Sequence, residues 1–219
     1  MILNATQISS VPIFIGLTNA DLDKIATEAH FDMRHYKKGS VIVSEYEKCE
    51  SLLFITRGWV ETDTYSDSRS YHIKELAQGP LVVEPEKLFG MTQHYRANYT
   101  AYTACTIISI PKAQLLQLLE QYVIVRMNLL NIICRKTQLL ESQPWQRRGS
   151  DARERIKMFI QHHSHTPTGK KTLYIKMVQL AEETNYTRLE ISQALNAMEK
   201  EEKIILKRGI IEVPMLQLL

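Results

Sequence analysis

The amino-acid sequence predicts an α+β chain: an N-terminal β-roll of jelly-roll type, a long central helix and a C-terminal winged helix-turn-helix. Three observations predict it. Between Met33 and Pro111, short apolar and polar runs alternate and are broken by turn residues, the texture of a sandwich or roll. From Lys112 to about Gln143 the apolar spacing lengthens to that of helices. From Val178 to Val213, two short helical patterns flank Thr184-Asn185-Tyr186 and are followed by a pair of apolar runs. The chain so divides into a roll over 1–111, a central helical region over 112–143, a hinge over 144–150 and a winged helix-turn-helix over 151–219.

Taken in order, residues Pro12 to Phe31 contain an amphipathic helix, with Thr18 as N-cap, Asp21 three residues on, and Leu22, Ile25, Ala26 and Ala29 as its buried stripe. Strands follow at Ser40–Val43, Ser51–Ile55, Trp59–Thr62, Tyr71–Leu76 and Cys105–Ile110. Gly39, Gly58 and Gly79 fall at their junctions, where a positive φ suits glycine.

Leu115, Leu116, Leu118 and Leu119 then mark a short helix, and Tyr122 to Leu140 a longer one. Val123, Ile124, Met127, Leu130, Ile133, Cys134 and Leu139 line one seam of it, while Val125, Leu129 and Ile132 lie off the seam. A helix that covers its own sheet and still has apolar residues left over pairs with another helix, so the seam predicts a homodimer. Gln143 to Ser150 carries Pro, Gly and polar residues, a hinge composition, and Ser150 can cap a helix from Asp151 to about Gln161 that buries Ile156, Phe159 and Ile160. Thr172 to Ile175 reads as a strand able to pair with the wing.

In the helix-turn-helix, Leu180 and Ala181 anchor the first helix, and Asn185 takes the left-handed turn position. Thr187 and Glu190 form a capping box that starts a helix running to Lys200. Ile191, Ala194, Leu195 and Met198 make its buried stripe, at about 100° per residue. Leu189, Gln193, Asn196 and Lys200 point the other way, with Arg188 in the first turn. That face is rich in amides where a solvated face would be Glu and Lys. Gln and Asn can bond bidentately to adenine in the major groove, and Leu189 can touch a thymine methyl. Ile204–Leu206 and Ile210–Val213 form a hairpin wing with Lys207 and Arg208 at its tip, placed for phosphate, and Gly209 in the turn. Double-stranded DNA is the partner this pattern predicts. The competing reading is a small-ligand receptor or protein-interaction module whose winged helix contacts a protein.

Composition bounds these readings. The 219 residues are 44% hydrophobic and 23% charged, ordinary for a globular protein, and a net charge of +3 means that any DNA contact must rest on a local patch. Cys49, Cys105 and Cys134 are odd in number, widely spaced and lack a C-x-x-C pair, which points to a reducing, cytoplasmic setting. No signal peptide and no membrane-length apolar window is read. His162-His163-Ser164-His165 has no carboxylate or thiol at set spacing, so no metal site is expected, and Cys105 on an apolar strand reads as a small buried residue. With 8 glycines, none in a phosphate-cradling pattern, and no nucleophile beside a base, no catalytic constellation emerges.

This order of elements resembles the cyclic-AMP receptor protein and FNR family of bacterial transcription regulators. The carrying runs are YKKG at Tyr36–Gly39, SLLFITRGWVE at Ser51–Glu61, Thr103–Lys112, DARERI at Asp151–Ile156, Gln179–Leu195 and the wing. The resemblance implies a homodimer on a two-fold symmetric operator, one recognition helix per half-site, with RNA polymerase as a further partner. It also implies an effector, here unidentified, whose arrival in the roll reorients the helix-turn-helix through the central helix. Gly79, Leu81, Arg96 and Tyr99 are candidates for that effector pocket; Arg96 with Tyr95, Tyr99 and Tyr102 reads equally as a loop and strand edge.

Departures from the family pattern shape the expected mechanism. Cyclic-nucleotide-binding members open their phosphate cassette with Gly-Glu-Leu and close it with Arg-Ser. The stretch read here as corresponding is Gly79 to Pro85, with Pro80 in the glutamate's place, and Arg96 is followed by Ala97. A phosphate needs a fixed cation and converging donors, and proline removes a donor, so neither cyclic AMP nor any other cofactor is expected. Around Leu139–Glu141, where cyclic-AMP binders carry hydroxyls, this chain is apolar and then acidic. An iron–sulfur cluster would need four thiolates. In Thr187-Arg188-Leu189-Glu190, Leu189 replaces an acidic residue that would accept from cytosine N4, so a different operator sequence is expected.

Overall fold

The computed structural model describes residues 5–142 and 151–219. The hinge expected over 144–150 lies outside them, as does Ser150. Two compact units emerge, Met1–Val60 with Gln78–Ser142 and Glu61–Ala77 with Gln143–Leu219. The segment 61–77, which the sequence leaves inside the roll, therefore packs with the C-terminal unit.

The first unit begins with α1 (Ala5–Ser9), a 3-10 turn at Pro12–Phe14 and α2 (Asn19–Glu28). The Thr18 hydroxyl accepts from the Asp21 amide at 3.1 Å, and Leu22, Ile25 and Ala26 are buried. Its main sheet is antiparallel in the order β1 (Asp32–Tyr36), β8 (Cys105–Pro111), β3 (Ser51–Arg57), β6 (Leu81–Val83). A second pairing joins β2 (Val41–Val43) to β7 (Asn98–Ala101). The core between them holds Phe14, Leu52, Phe54, Ile55, Ile108 and Ile110, each at most 1% exposed. Strands β1, β6 and β7 escape a sequence reading because they are short or polar, and their pairing comes from neighbours distant in the chain.

Two junction glycines are required for different reasons. Gly58 has φ +102°, and a Cβ there would lie 2.4 Å from the Ala104 carbonyl oxygen. Gly79 does not adopt the positive φ expected of it; a Cβ would instead strike the Ile55 carbonyl oxygen at 2.7 Å, so close backbone approach selects glycine.

After α3 (Lys112–Gln121), α4 (Val123–Ser142) lays one face on its own unit. Val125 and Leu129 are buried, and Asn128 Nδ2 donates to the carbonyls of Ile13 and Ile15 at 3.0 and 2.8 Å, tying the helix to the N-terminal turn. No helix among the described residues is long and apolar enough to cross a membrane.

The second unit is built on α5 (Ala152–His162), β9 (Lys171–Tyr174), α6 (Met177–Thr184), α7 (Arg188–Lys200), β10 (Ile205–Lys207) and β11 (Ile210–Val213). Asp151, rather than Ser150, is the N-cap of α5: its carboxylate accepts from the Glu154 amide at 2.9 Å. The wing pairs with β9 as expected, but β9 also pairs with β5 (His72–Gln78), which continues the sheet to β4 (Trp59–Tyr65) in the order β10-β11-β9-β5-β4. Ile73 lies opposite Leu173 and enters the core of Ile156, Phe159, Ile160, Leu180, Ile191, Leu195 and Met198. Burying one such side chain stabilises by about 1.5–3 kcal/mol.

A sealed ion pair secures the same junction. Lys171 Nζ lies 2.6 Å from Glu75 Oε1, with both side chains at most 1% exposed. The Glu75 carboxylate also accepts from the His165 and Thr166 amides at 2.7 and 3.2 Å, and Lys171 donates to Thr166 Oγ1 at 2.6 Å.

Candidate nucleic-acid interface

Helix α7 presents the face that the sequence analysis assigns to DNA contact. The Glu190 amide donates to Thr187 Oγ1 at 3.3 Å while the Thr187 amide donates to Glu190 Oε2 at 2.8 Å, a closed capping box. The hydrogen bonds from Thr187 hold the Glu190 carboxyl below its ordinary range. Asn185 adopts φ +59°, ψ +44° between α6 and α7, and the buried Thr184 hydroxyl donates to the Leu180 carbonyl at 2.6 Å, closing the turn without a free polar group. Ile191, Leu195 and Met198 are buried and Ala194 half-buried; Thr187, Arg188, Leu189, Gln193, Asn196 and Lys200 are exposed together. Leu189, at 67% exposed, is a large apolar side chain held in solvent on an otherwise polar face.

The wing stands beside this helix. Glu199 Oε1 accepts from the Leu206 amide at 2.8 Å and couples the end of α7 to β10. Gly209 turns the hairpin at φ +73°. Lys207 and Arg208 are both exposed, but Lys207 is ion-paired with Glu212, which Lys170 also approaches at 3.6 Å. A phosphate at Lys207 would therefore have to compete with Glu212.

On α4, Val123, Ile124, Met127, Leu130 and Leu139 are between 41% and 58% exposed, Cys134 is exposed, and Ile133 is half-buried. Val123, Ile124, Met127, Leu130 and Cys134 of the seam read from the sequence thus form an uncovered apolar stripe away from Val125 and Leu129, whereas Ile133 and Leu139 fall toward the side of that buried pair.

The four effector candidates fall in two settings. Leu81 lies opposite Ile55 in the β3–β6 pairing, and Gly79, just before β6, packs against the Ile55 carbonyl. Tyr99 is buried in β7. Arg96 just precedes that strand, and its guanidinium meets Glu45 at 3.2 Å. The residue that meets the Arg96–Ala97 backbone is Glu84, whose carboxylate accepts from both amides, at 2.7 and 3.2 Å. A cavity of about 300 Å³ in this unit is lined by Arg34, Tyr36, Glu47, Lys48, Ser51 and Tyr95 among others, and takes in none of the four candidates. Arg34 pairs with Asp32 at 2.7 Å and Lys48 with Glu50 at 2.8 Å, while the Glu47 carboxylate accepts from the Ser44 amide at 3.0 Å. Burial pushes the Tyr95 phenol and the Cys49 thiol up, so both stay neutral.

The histidines serve as structural partners. His163 Nδ1 is 2.7 Å from the Phe159 carbonyl, its Nε2 is 3.1 Å from the Tyr71 hydroxyl, and His165 Nε2 is 2.9 Å from Thr64 Oγ1. Cys105 is buried. The sequence reading missed Glu84, Glu75 and Lys171; their one signal is charge amid apolar runs.

Residues 33–122, most of the roll, match the family described as Cyclic nucleotide-binding domain. The roll is similar to domains of that family. The resemblance of the sequence to the cyclic-AMP receptor protein and FNR regulators is borne out by this match. Among solved structures similar to the chain are a transcriptional regulator from Thermotoga maritima and the Catabolite Activator Protein of Thermus thermophilus. The first is 17% identical, covering 57% of this chain and 95% of that one, with a TM-score of 0.50. The second is 19% identical, covering 94% of this chain and 95% of that one, with a TM-score of 0.48. At 17% identity the likeness to the Thermotoga maritima regulator speaks to the fold alone. No curated protein matches the chain. The matched stretch carries a buried carboxylate, Glu84, against the backbone at Arg96–Ala97.

Proposed function

We propose that the chain is a homodimeric, sequence-specific DNA-binding transcription regulator, acting on a two-fold symmetric operator, whose cyclic nucleotide-binding domain does not take cyclic AMP. The observation that carries this is the outward face of α7: Gln193 and Asn196 exposed together with Leu189 and Arg188, on a helix whose opposite face is fully engaged in the core. Amide side chains so placed can read adenine edges, while Lys200, Arg208 and Lys207 provide phosphate contacts that fix register. The uncovered stripe on α4 supports the dimer: five large apolar side chains in solvent on one helix are what a second copy of that helix would bury. Two recognition helices would then meet half-sites about one helical turn apart.

Footprinting of the purified, ligand-free protein on genomic fragments, repeated with cyclic AMP, tests this reading. A symmetric footprint unaltered by cyclic AMP is the expected result; one that appears only with cyclic AMP would overturn the reading of the effector domain. On the operator so found, Gln193→Ala should weaken binding by about 1–3 kcal/mol and relax the preference at one base pair per half-site. Unchanged affinity and preference would remove α7 from base readout.

A further inference from the structure

Glu84 is 3% exposed, yet it carries a carboxylate into the first unit. Its backbone is left-handed, φ +34° and ψ +57°, between β6 and the 3-10 turn at Pro85–Lys87. A side chain other than glycine holds such a conformation where its surroundings fix it, and here the side chain supplies the reason. One carboxylate oxygen accepts from the Arg96 amide at 2.7 Å and the other from the Ala97 amide at 3.2 Å. Two successive backbone N–H groups converging on one buried group make an anion-binding feature of the fold, and a carboxylate of the same chain occupies it. The Arg96 guanidinium, the nearest cation by sequence, is drawn to Glu45 at 3.2 Å.

We propose that Glu84 is a built-in anion, which fills the amide site at Arg96–Ala97 and closes the domain to ligands that would bind there through a phosphate group. A phosphate oxygen would need the same two N–H groups, and it would arrive beside a carboxylate that has no room to leave. The repulsion and the lost hydrogen bonds act together against it. This rests on the reading above that the domain does not take cyclic AMP, and it assigns that refusal to one side chain.

The test uses the full chain and two variants. Glu84→Gly removes the carboxylate and suits the left-handed backbone, so it leaves the amides open without imposing strain. Glu84→Gln keeps an acceptor on the amides and removes only the charge. Inorganic phosphate is titrated at constant ionic strength, followed by calorimetry and by the melting temperature, and cyclic AMP is titrated in parallel. The expected result is saturable phosphate binding and a rising melting temperature for Glu84→Gly, with neither for the wild type or Glu84→Gln. No phosphate response in Glu84→Gly, or phosphate binding by the wild type, would overturn the proposal. Should Glu84→Gly fail to fold, the amide proton resonances of Arg96 and Ala97 decide: both must move in Glu84→Gln, and their staying in place would show that no carboxylate sits on them. Cyclic AMP binding to the wild type would overturn the functional reading itself, whereas refusal of cyclic AMP by the wild type with no phosphate response in Glu84→Gly overturns only the role of Glu84.

Discussion

Removing Glu75 should destabilise the second unit more than removing Lys171, although the two form one ion pair. With Lys171→Met, the Glu75 carboxylate keeps the amides of His165 and Thr166 and the Thr166 hydroxyl. With Glu75→Leu, those two amides lose their acceptor, and the sealed Lys171 ammonium keeps only Thr166 Oγ1. Breaking a buried pair from one side costs about 3–5 kcal/mol, and an orphaned buried donor about 1–3 kcal/mol. The groups share partners, so these values do not simply add. We expect about 3 kcal/mol for Lys171→Met and more than about 5 kcal/mol for Glu75→Leu. Combining the two substitutions removes the lone charge and should recover much of the Glu75→Leu loss, since an apolar replacement of a whole buried pair is often near neutral. Urea unfolding followed by circular dichroism gives the stabilities. Hydrogen exchange at the Leu76 amide, which donates to the Lys170 carbonyl at 3.4 Å, reports the β5–β9 edge directly. Equal losses in the two single variants, or a double variant no better than Glu75→Leu, would refute the reasoning.

Other substitutions probe the second unit. Thr187→Ala should cost about 1 kcal/mol by loss of the cap and speed exchange in the first turn of α7. Because Thr187 holds the Glu190 carboxyl low, its contribution is present above the unfolded carboxyl range and is lost as pH falls through the folded value; the acid slope of stability should flatten in Thr187→Ala. Burial, then His163 and Arg155, hold His162 below the ordinary histidine range. The unfolded chain therefore takes up the proton first, and stability declines as pH falls below about 6.5 toward the folded value. His162→Gln should flatten urea midpoints measured across that window, and an unchanged slope would clear His162. Lys207→Ala should reduce the salt dependence of operator binding by about one unit of slope, while Glu212→Gln, which frees Lys207, should tighten binding at low salt. A slope unmoved by Lys207→Ala would take the wing lysine out of the interface.

The parts legible in the sequence are those whose cause is local. The capping box of Thr187 and Glu190, the left-handed Asn185 and the i, i+3, i+4, i+7 stripe of α7 are each set within a few residues, and the structure reproduces them. The uncovered part of the α4 seam, Val123, Ile124, Met127, Leu130 and Cys134, is readable because Val125 and Leu129 stand apart from it in the helical period. What was not legible depends on residues far apart in the chain. Glu75 and Lys171 are 96 positions apart, and nothing near either one foretells the other. Glu84 lies in an ordinary run, Val83-Glu84-Pro85, and only the folded approach of Arg96 and Ala97 gives it a role. Gly79 was read for its φ, when contact with the Ile55 carbonyl is what excludes a side chain.

Because 61–77 belongs to the second unit, the chain passes between the units three times, at Val60–Glu61, Ala77–Gln78 and Ser142–Gln143. A fragment begun at residue 151 would therefore not be a portable module. It would expose one edge of β9, open the core where Ile73 sits, and strand Lys171 without its carboxylate. Anyone grafting the second unit onto another domain, or exchanging it between relatives, would have to carry the β4–β5 hairpin with it, and the seams of such a chimaera would be three cuts in the polypeptide rather than one.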